Sequence, residues 1–91
     1  CGRELVDRYD NVVMTRTFSK IYGLGGLRVG WAYAPEHIVD ILNRIRSPFN
    51  VNTPAYLAAA EAVRDVEFTA RAVAHNTQAL AYMHGTLTQL G

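Results

Sequence analysis

The stretch "TRTFSKIYGLGGLRVGW", residues 15–31, concentrates several unusual residues in one short segment. It contains Lys20, which is the only lysine of the 91-residue chain, and four of the chain's seven glycines. With Arg16 and Arg28, the lysine gives this segment three positive charges and no negative one. Glycines let a backbone approach a ligand closely, and an arginine fork binds phosphate with two hydrogen bonds. The segment therefore predicts a site for an anion beside a lysine.

Familiar phosphate-binding motifs do not describe this segment. A Walker loop places its lysine after the glycines, whereas Lys20 precedes them, and the G-x-G-x-x-G fingerprint fails because its last position is Arg28. The serine-x-x-lysine motif of β-lactam-binding enzymes fails because Thr17 replaces the serine. A lysine beside hydroxyls and an arginine suits pyridoxal phosphate, which offers an aldehyde to the amine and a phosphate to the other groups.

Composition restricts the kinds of partner that the chain can bind. With 91 residues, 49% of them apolar, it suffices for one small domain at most. A net charge of +1 gives no large field that would attract nucleic acid or an anionic membrane. No apolar run reaches the roughly 20 residues that cross a bilayer. The single cysteine, Cys1, cannot form an internal disulfide, which fits a reducing compartment. We expect a cytoplasmic protein with no nucleic-acid or membrane partner.

The first third of the chain predicts two strands around a loop. Residues 11–14, "NVVM", form a short β-prone apolar run, and residues 27–34, "LRVGWAYA", alternate well enough for a second strand. Glycines mark residues 18–26 between them as a loop. Because two strands alone seldom make a stable sheet, and because the chain begins with cysteine, we expect a fragment of a longer α/β protein.

The rest of the chain predicts three helices. Apolar residues recur at helical spacing over residues 36–46. Thr53 followed by Pro54 has the pattern of an N-cap and a first helical residue, which predicts the start of the next helix. Asp65 is predicted to cap a long last helix that ends at Gly91.

The segment "TFSKIYGLGGLRVGWAYAP" resembles the cofactor-lysine segment of class I and II aminotransferases of the aspartate aminotransferase fold type. Within that class, "RTFSK", "GLGGLRVGW" and "SPFNVNTPA" are most similar to the histidinol-phosphate aminotransferases, with the threonine-phosphate decarboxylases as close alternatives. The resemblance implies an α/β fold in which residues 1–64 are the C-terminal part of the large pyridoxal-phosphate-binding domain. Residues 65–91 would be the long helix that leads toward the small domain.

The resemblance also implies roles for individual residues. Lys20 would hold pyridoxal phosphate as a Schiff base and then transfer the proton of the transamination. Ser19, Thr17 and Arg28 would bind the cofactor phosphate. The reaction would move an amino group from a small-molecule donor, histidinol phosphate, to the 2-oxo acid 2-oxoglutarate in histidine biosynthesis, in a homodimer. The family's other cofactor and substrate residues lie outside this stretch, so the chain alone is expected to be inactive.

One function of another class stays open at the level of sequence. A non-catalytic module that binds a phosphate ligand would keep the basic glycine loop and tolerate Lys20→Arg, whereas Schiff-base chemistry would not. A metal site is not expected, because His37, His75 and His84 have none of the spacings typical of zinc ligands.

Overall fold

A computed structural model describes residues 2–91; Cys1, on which the expectation of a reducing compartment rests, lies outside the described residues. The elements, in chain order, are α1 (Gly2–Arg8), β1 (Met14–Thr17), a 3₁₀ turn (Gly25–Leu27), β2 (Gly30–Tyr33), α2 (Glu36–Ile45), α3 (Thr53–Arg64) and α4 (Val66–Leu90). This mixture of helices and a small sheet is consistent with the expected α/β class.

The two strands form an antiparallel hairpin, and a glycine allows their close approach at the end next to the lysine loop. Met14 pairs with Tyr33 at one end and Thr17 with Gly30 at the other. A Cβ atom on Gly30 would lie 2.6 Å from the carbonyl oxygen of Arg16, so no other residue fits without movement of the backbone. This close approach brings the start and the end of the lysine loop together.

The predicted strand boundaries are wrong at both strands. The first strand spans Met14–Thr17 rather than residues 11–14, because the run "NVV" completes the connection from α1. The second begins at Gly30 rather than at residue 27, because the 3₁₀ turn and a left-handed residue precede it. Helix α1 is not among the sequence-based predictions, although Glu4 in its first turn and Arg8 in its last suit the helix dipole.

The helix predictions agree better with the structure. Helix α2 spans Glu36–Ile45, which confirms the prediction over residues 36–46. Asp65 caps α4 as predicted, with its carboxylate accepting a hydrogen bond from the Phe68 N–H at 2.8 Å. The predicted cap of α3 is wrong by one residue: Asn52 accepts the Ala55 N–H at 2.8 Å, and Thr53 is already helical.

The hydrophobic core is small and lies under the lysine loop. Its buried members come from the loop, from the residue before β2 and from α3: Phe18, Val29, Ala55 and Ala59. Three half-buried loop residues pack against them: Tyr22, Leu24 and Leu27. The radius of gyration is 17.5 Å, against about 12 Å for a compact domain of this length. The molecule is therefore elongated, and α4 is exposed along most of its length. Within residues 2–91, no helix is both long and apolar enough to cross a membrane.

Candidate anion and lysine site

The lysine loop is held by hydrogen bonds on both sides of Phe18. The Phe18 N–H donates to the Val29 carbonyl at 3.1 Å, and the Leu24 N–H donates to the Phe18 carbonyl at 3.0 Å. The Phe18 side chain is buried and packs on Tyr22, with ring centroids 5.0 Å apart. Because this residue is fixed by its backbone and by its ring, the residues that follow leave the hairpin in a defined direction.

The backbone on either side of Lys20 is also bonded. The Ser19 N–H donates to Thr17 Oγ1 at 3.0 Å, and the Gly23 N–H donates to the Lys20 carbonyl at 2.9 Å. Gly23 has φ +68°, a left-handed conformation that glycine adopts without strain. The turn from Ser19 to Gly23 therefore has a fixed path, and the lysine side chain leaves a preorganised backbone.

The three side chains that were predicted to bind the cofactor phosphate form a polar cluster. Thr17 Oγ1 donates to Ser19 Oγ at 2.8 Å, and Arg28 Nη1 approaches Ser19 Oγ at 3.4 Å and the Gly25 carbonyl at 2.8 Å. Arg28 has φ 53° and ψ 51°, and it is the single non-glycine residue with positive φ in the described part of the chain. A left-handed backbone costs about 1 kcal/mol, and here it is associated with a guanidinium that contacts the Ser19 hydroxyl and the Gly25 carbonyl.

The cluster has the donor chemistry of an anion site. Ser19 Oγ accepts from both Thr17 and Arg28, which leaves its own proton to donate to a third partner. Arg28 has further N–H groups beyond the one that these contacts use, and no carboxylate within residues 2–91 bonds to any of the three residues. Two hydroxyls and a guanidinium suit the phosphate of pyridoxal phosphate.

Lys20 lies next to this cluster but its side chain lines a different space. The Lys20 ammonium makes no hydrogen bond or ion pair within residues 2–91. Its side chain lines a cleft of about 540 Å³ between the lysine loop and α4. The cleft is lined by Lys20, Ile21, Gly23, Phe68, Ala72, Val73, Asn76 and Thr77. The structure thus brings Thr17 and Arg28 each into contact with Ser19, and the lysine that follows Ser19 lines the cleft toward α4.

The α4 wall of this cleft is the part that sequence reasoning missed. Phe68, Ala72 and Asn76 are four residues apart, which places them on one face of the helix. From the sequence alone, residues at this spacing cannot be told apart from those that simply pack a helix against the core, because the loop that faces them is not known. Among the residues that the structure describes, no three His, Cys, Asp or Glu side chains are grouped as a metal site would require.

Comparison with known proteins identifies the family. The sequence profile described as aminotransferase class I and II matches residues 2–90, nearly the whole chain. The chain therefore belongs to the class I and II aminotransferase family. This assignment agrees with the resemblance carried by the lysine segment.

Within this family, the chain is similar to curated proteins of one kind. The chain is 56% identical over 90 residues to the histidinol-phosphate aminotransferase of Ruegeria pomeroyi, 54% identical to that of a Jannaschia species and 53% identical to that of Roseobacter denitrificans. Each alignment covers 99% of this chain and 25% of the relative. The chain thus spans about a quarter of the length of the curated relatives that it matches.

Proposed function

We propose that this chain is the cofactor-lysine part of a pyridoxal-phosphate-dependent aminotransferase that acts on histidinol phosphate. The observation that carries this proposal is the hydrogen-bonded cluster of Thr17, Ser19 and Arg28 immediately beside Lys20. The proposed substrate is that of the relatives, which are histidinol-phosphate aminotransferases at 53–56% identity.

The residues of the cluster divide the work of binding the cofactor. The Arg28 guanidinium offers charge-assisted hydrogen bonds to a phosphate, and the Ser19 proton offers another. Thr17 accepts the Ser19 N–H and donates its hydroxyl proton to Ser19 Oγ, so it positions the serine and would bind the phosphate itself only by turning this hydroxyl away from Ser19. When bound, pyridoxal phosphate supplies an aldehyde for an amine and an electron sink for the carbanion formed at a substrate carbon.

Lys20 is the residue proposed to perform the chemistry. Its Nζ is a primary amine, which can attack an aldehyde and, once free, accept and return a proton as a general base and acid. The bonded backbone from Ser19 to Gly23 would fix the Cα from which this amine extends. The proposed reaction transfers the amino group to 2-oxoglutarate as the 2-oxo acid.

The proposal extends to the whole protein that carries this chain. We place residues 1–64 in the large cofactor-binding domain of the fold type I transferases and residues 65–91 in the helix toward the small domain. The many exposed apolar side chains of the chain, such as Leu80 and Leu90 on α4, support its packing against further protein. The proposed assembly is a cytoplasmic homodimer.

The experiment that tests this proposal labels the lysine. The protein that carries this chain is loaded with pyridoxal phosphate, reduced with borohydride and digested, and the pyridoxylated peptide is mapped by mass spectrometry. The expected label is on Lys20, and Lys20→Arg should abolish both the label and the amino transfer from histidinol phosphate. A folded protein without label at Lys20 would contradict the proposal and favour a non-catalytic phosphate binder.

A second variant tests the anion site separately. Arg28→Lys keeps the positive charge but loses the planar fork, so the dissociation constant for pyridoxal phosphate should rise by about 10-fold or more. Arg16→Lys is the matched control: within residues 2–91 no hydrogen bond joins the Arg16 side chain to the cluster, so this change should leave the constant unchanged. Equal affinities in the two variants would show that Arg28 does not bind the phosphate.

A further inference from the structure

We propose that Val29 is a positioning residue for the cofactor phosphate, because its burial keeps Arg28 in the left-handed conformation that brings the guanidinium to Ser19. This inference rests on the proposed function, since it takes the ligand of Arg28 to be the phosphate of pyridoxal phosphate. Val29 lies in the hydrophobic core under the lysine loop and acts through the backbone of Arg28.

The backbone of Arg28 is the strained point of the lysine loop. Its φ of 53° and ψ of 51° lie in the left-handed region, where a Cβ atom comes too close to the following carbonyl oxygen. Within residues 2–91 it is the single residue other than glycine with a positive φ. Such a conformation persists only where the surrounding structure imposes it. The constraint therefore comes either from the hydrogen bonds of the Arg28 side chain or from the residues on either side of it.

The hydrogen bonds of the Arg28 side chain are a weak constraint on its backbone. Both use the same nitrogen, Nη1, which lies 2.8 Å from the Gly25 carbonyl oxygen and 3.4 Å from Ser19 Oγ. Both are exposed, so water competes with each of them. The arginine side chain is also long and rich in rotamers, so its guanidinium can reach one place from several backbone conformations. These two bonds are therefore a consequence of the left-handed backbone rather than its cause.

The two neighbours of Arg28 are anchored more firmly. Leu27 ends the 3₁₀ turn, where its N–H donates to the Leu24 carbonyl at 3.1 Å and its half-buried side chain packs against the core. Val29 is buried in that core, and its carbonyl accepts the Phe18 N–H at 3.1 Å. The chain before and after Arg28 is thus fixed both by a backbone hydrogen bond and by apolar packing.

Val29 is the neighbour that connects this strained residue to the rest of the molecule. It belongs to the same core cluster as Ala55 and Ala59 of α3, whereas the hydrogen bond of Leu27 stays within its own turn. Without the methyl groups of Val29, the backbone of Arg28 is free to return to an ordinary conformation, which turns its Cα–Cβ bond. The 3.4 Å contact with Ser19 is already near the outer limit of a hydrogen bond, so a small rotation breaks it.

The first test compares the same substitution at two buried valines. Val29 is 9% exposed and Val6 is 6% exposed, but Val6 lies on α1, outside the core cluster under the lysine loop. In the intact protein that carries this chain, Val29→Ala should raise the dissociation constant for pyridoxal phosphate about 10-fold relative to Val6→Ala. Pyridoxal, which lacks the phosphate, should bind equally to both variants. A purely structural role of Val29 would weaken the binding of both aldehydes alike.

A second measurement needs no cofactor and shows what holds the backbone of Arg28. If its neighbours do, the left-handed conformation remains after the guanidinium is removed, and Arg28→Gly should unfold at a higher urea concentration than Arg28→Ala. Arg16 is the matched control position, because it lies in β1 and its φ is not positive. There the order should reverse, with Arg16→Gly unfolding at a lower urea concentration than Arg16→Ala.

The outcomes separate this inference from the proposed function. If pyridoxal phosphate labels Lys20 but binds equally to Val29→Ala and Val6→Ala, Val29 is not a positioning residue and the aminotransferase proposal stands. The same conclusion follows if Val29→Ala weakens pyridoxal as much as pyridoxal phosphate. Should Val29→Ala fail to fold, an Arg28→Ala variant at least as stable as Arg28→Gly would still overturn the inference. If the unsubstituted protein does not bind pyridoxal phosphate, the proposed function itself fails.

Discussion

The hairpin with its lysine loop, residues 14–33, and helix α4 are ordered by different interactions. In the loop region, Phe18 bonds to Val29 and Leu24, and Arg28 reaches back to Ser19. These contacts join residues up to 11 positions apart. In α4 the hydrogen bonds and the Glu67–Arg71 ion pair all join residues three or four positions apart. The loop is therefore fixed by tertiary contacts and α4 by local ones.

This difference determines how each region responds to substitution. The loop holds its conformation through a few buried or sterically confined residues, so single changes there have large effects. Most of α4 has exposed side chains, and its stability within this chain depends on helix propensity. The site lies where the two regions meet, at Lys20 and Phe68. Four substitutions, in order of decreasing effect, test this contrast.

The largest effect is expected at the buried ring of the loop. Phe18 is 6% exposed, and Phe18→Ala in the protein that carries this chain should lower the free energy of unfolding by about 3 kcal/mol. Phe49→Ala is the control, because Phe49 is 93% exposed and should change stability by less than about 0.5 kcal/mol. Urea unfolding measures both. Equal midpoints would mean that the core under the loop contributes little.

The next effect is steric and concerns the close approach within the hairpin. Gly30→Ala places a methyl group 2.6 Å from the Arg16 carbonyl oxygen, which should cost about 2 kcal/mol. Gly26→Ala is the matched control, since nothing lies within 4 Å of its added Cβ. Thermal unfolding of the two variants measures the difference. If both melt alike, the strands can separate at Gly30 without cost.

A smaller effect of opposite sign is expected on α4. Gly85 lies inside the helix with nothing within 4 Å of an added Cβ, so Gly85→Ala should raise stability by about 0.5–1 kcal/mol. Gly23→Ala should instead lower stability, because Gly23 has φ +68°. Chemical denaturation compares the pair. Stabilisation by both changes would show that the lysine turn does not need its left-handed glycine.

The smallest effect depends on pH and concerns the contact between α1 and β2. Tyr33 donates a hydrogen bond to the Asp7 carboxylate at 2.5 Å, and this bond raises the pKa of Tyr33 above its ordinary value of 10.0. Arg3, which lies 6.0 Å from the ring centroid, acts in the opposite direction. Because a raised pKa favours the protonated form in the folded state, this stabilisation is fully present below pH 10 and is lost as the pH rises through the raised pKa.

Thermal unfolding checks this sign. The midpoint of the unsubstituted protein should exceed that of Tyr33→Phe at neutral pH, and the gap should narrow above pH 10. Tyr82→Phe controls for the loss of a hydroxyl, since Tyr82 is 74% exposed and its side chain has no hydrogen bond within the described residues. A gap that stays constant to high pH would exclude the Asp7 contact as its source.

The contacts of the candidate cluster could be anticipated because its residues are close together in the chain. Thr17, Ser19 and Lys20 are neighbours, and the only lysine next to hydroxyls, glycines and an arginine already indicated an anion beside an amine. Helix α2 and the Asp65 cap were also predictable, because periodicity and capping are properties of a few consecutive residues. The strand limits were not, since β pairing depends on which residues lie opposite each other.

The sequence by itself thus indicated the family, and the family comparison confirms that prediction. Only the tertiary structure decided that Arg28 adopts a left-handed backbone, that Gly30 pairs with Thr17, and that Lys20 shares a cleft with Asn76. The physical reason is the range of the contacts. Propensity and spacing act over one or two turns of chain, whereas register, the direction of a guanidinium and the wall of a cleft depend on groups brought together by folding.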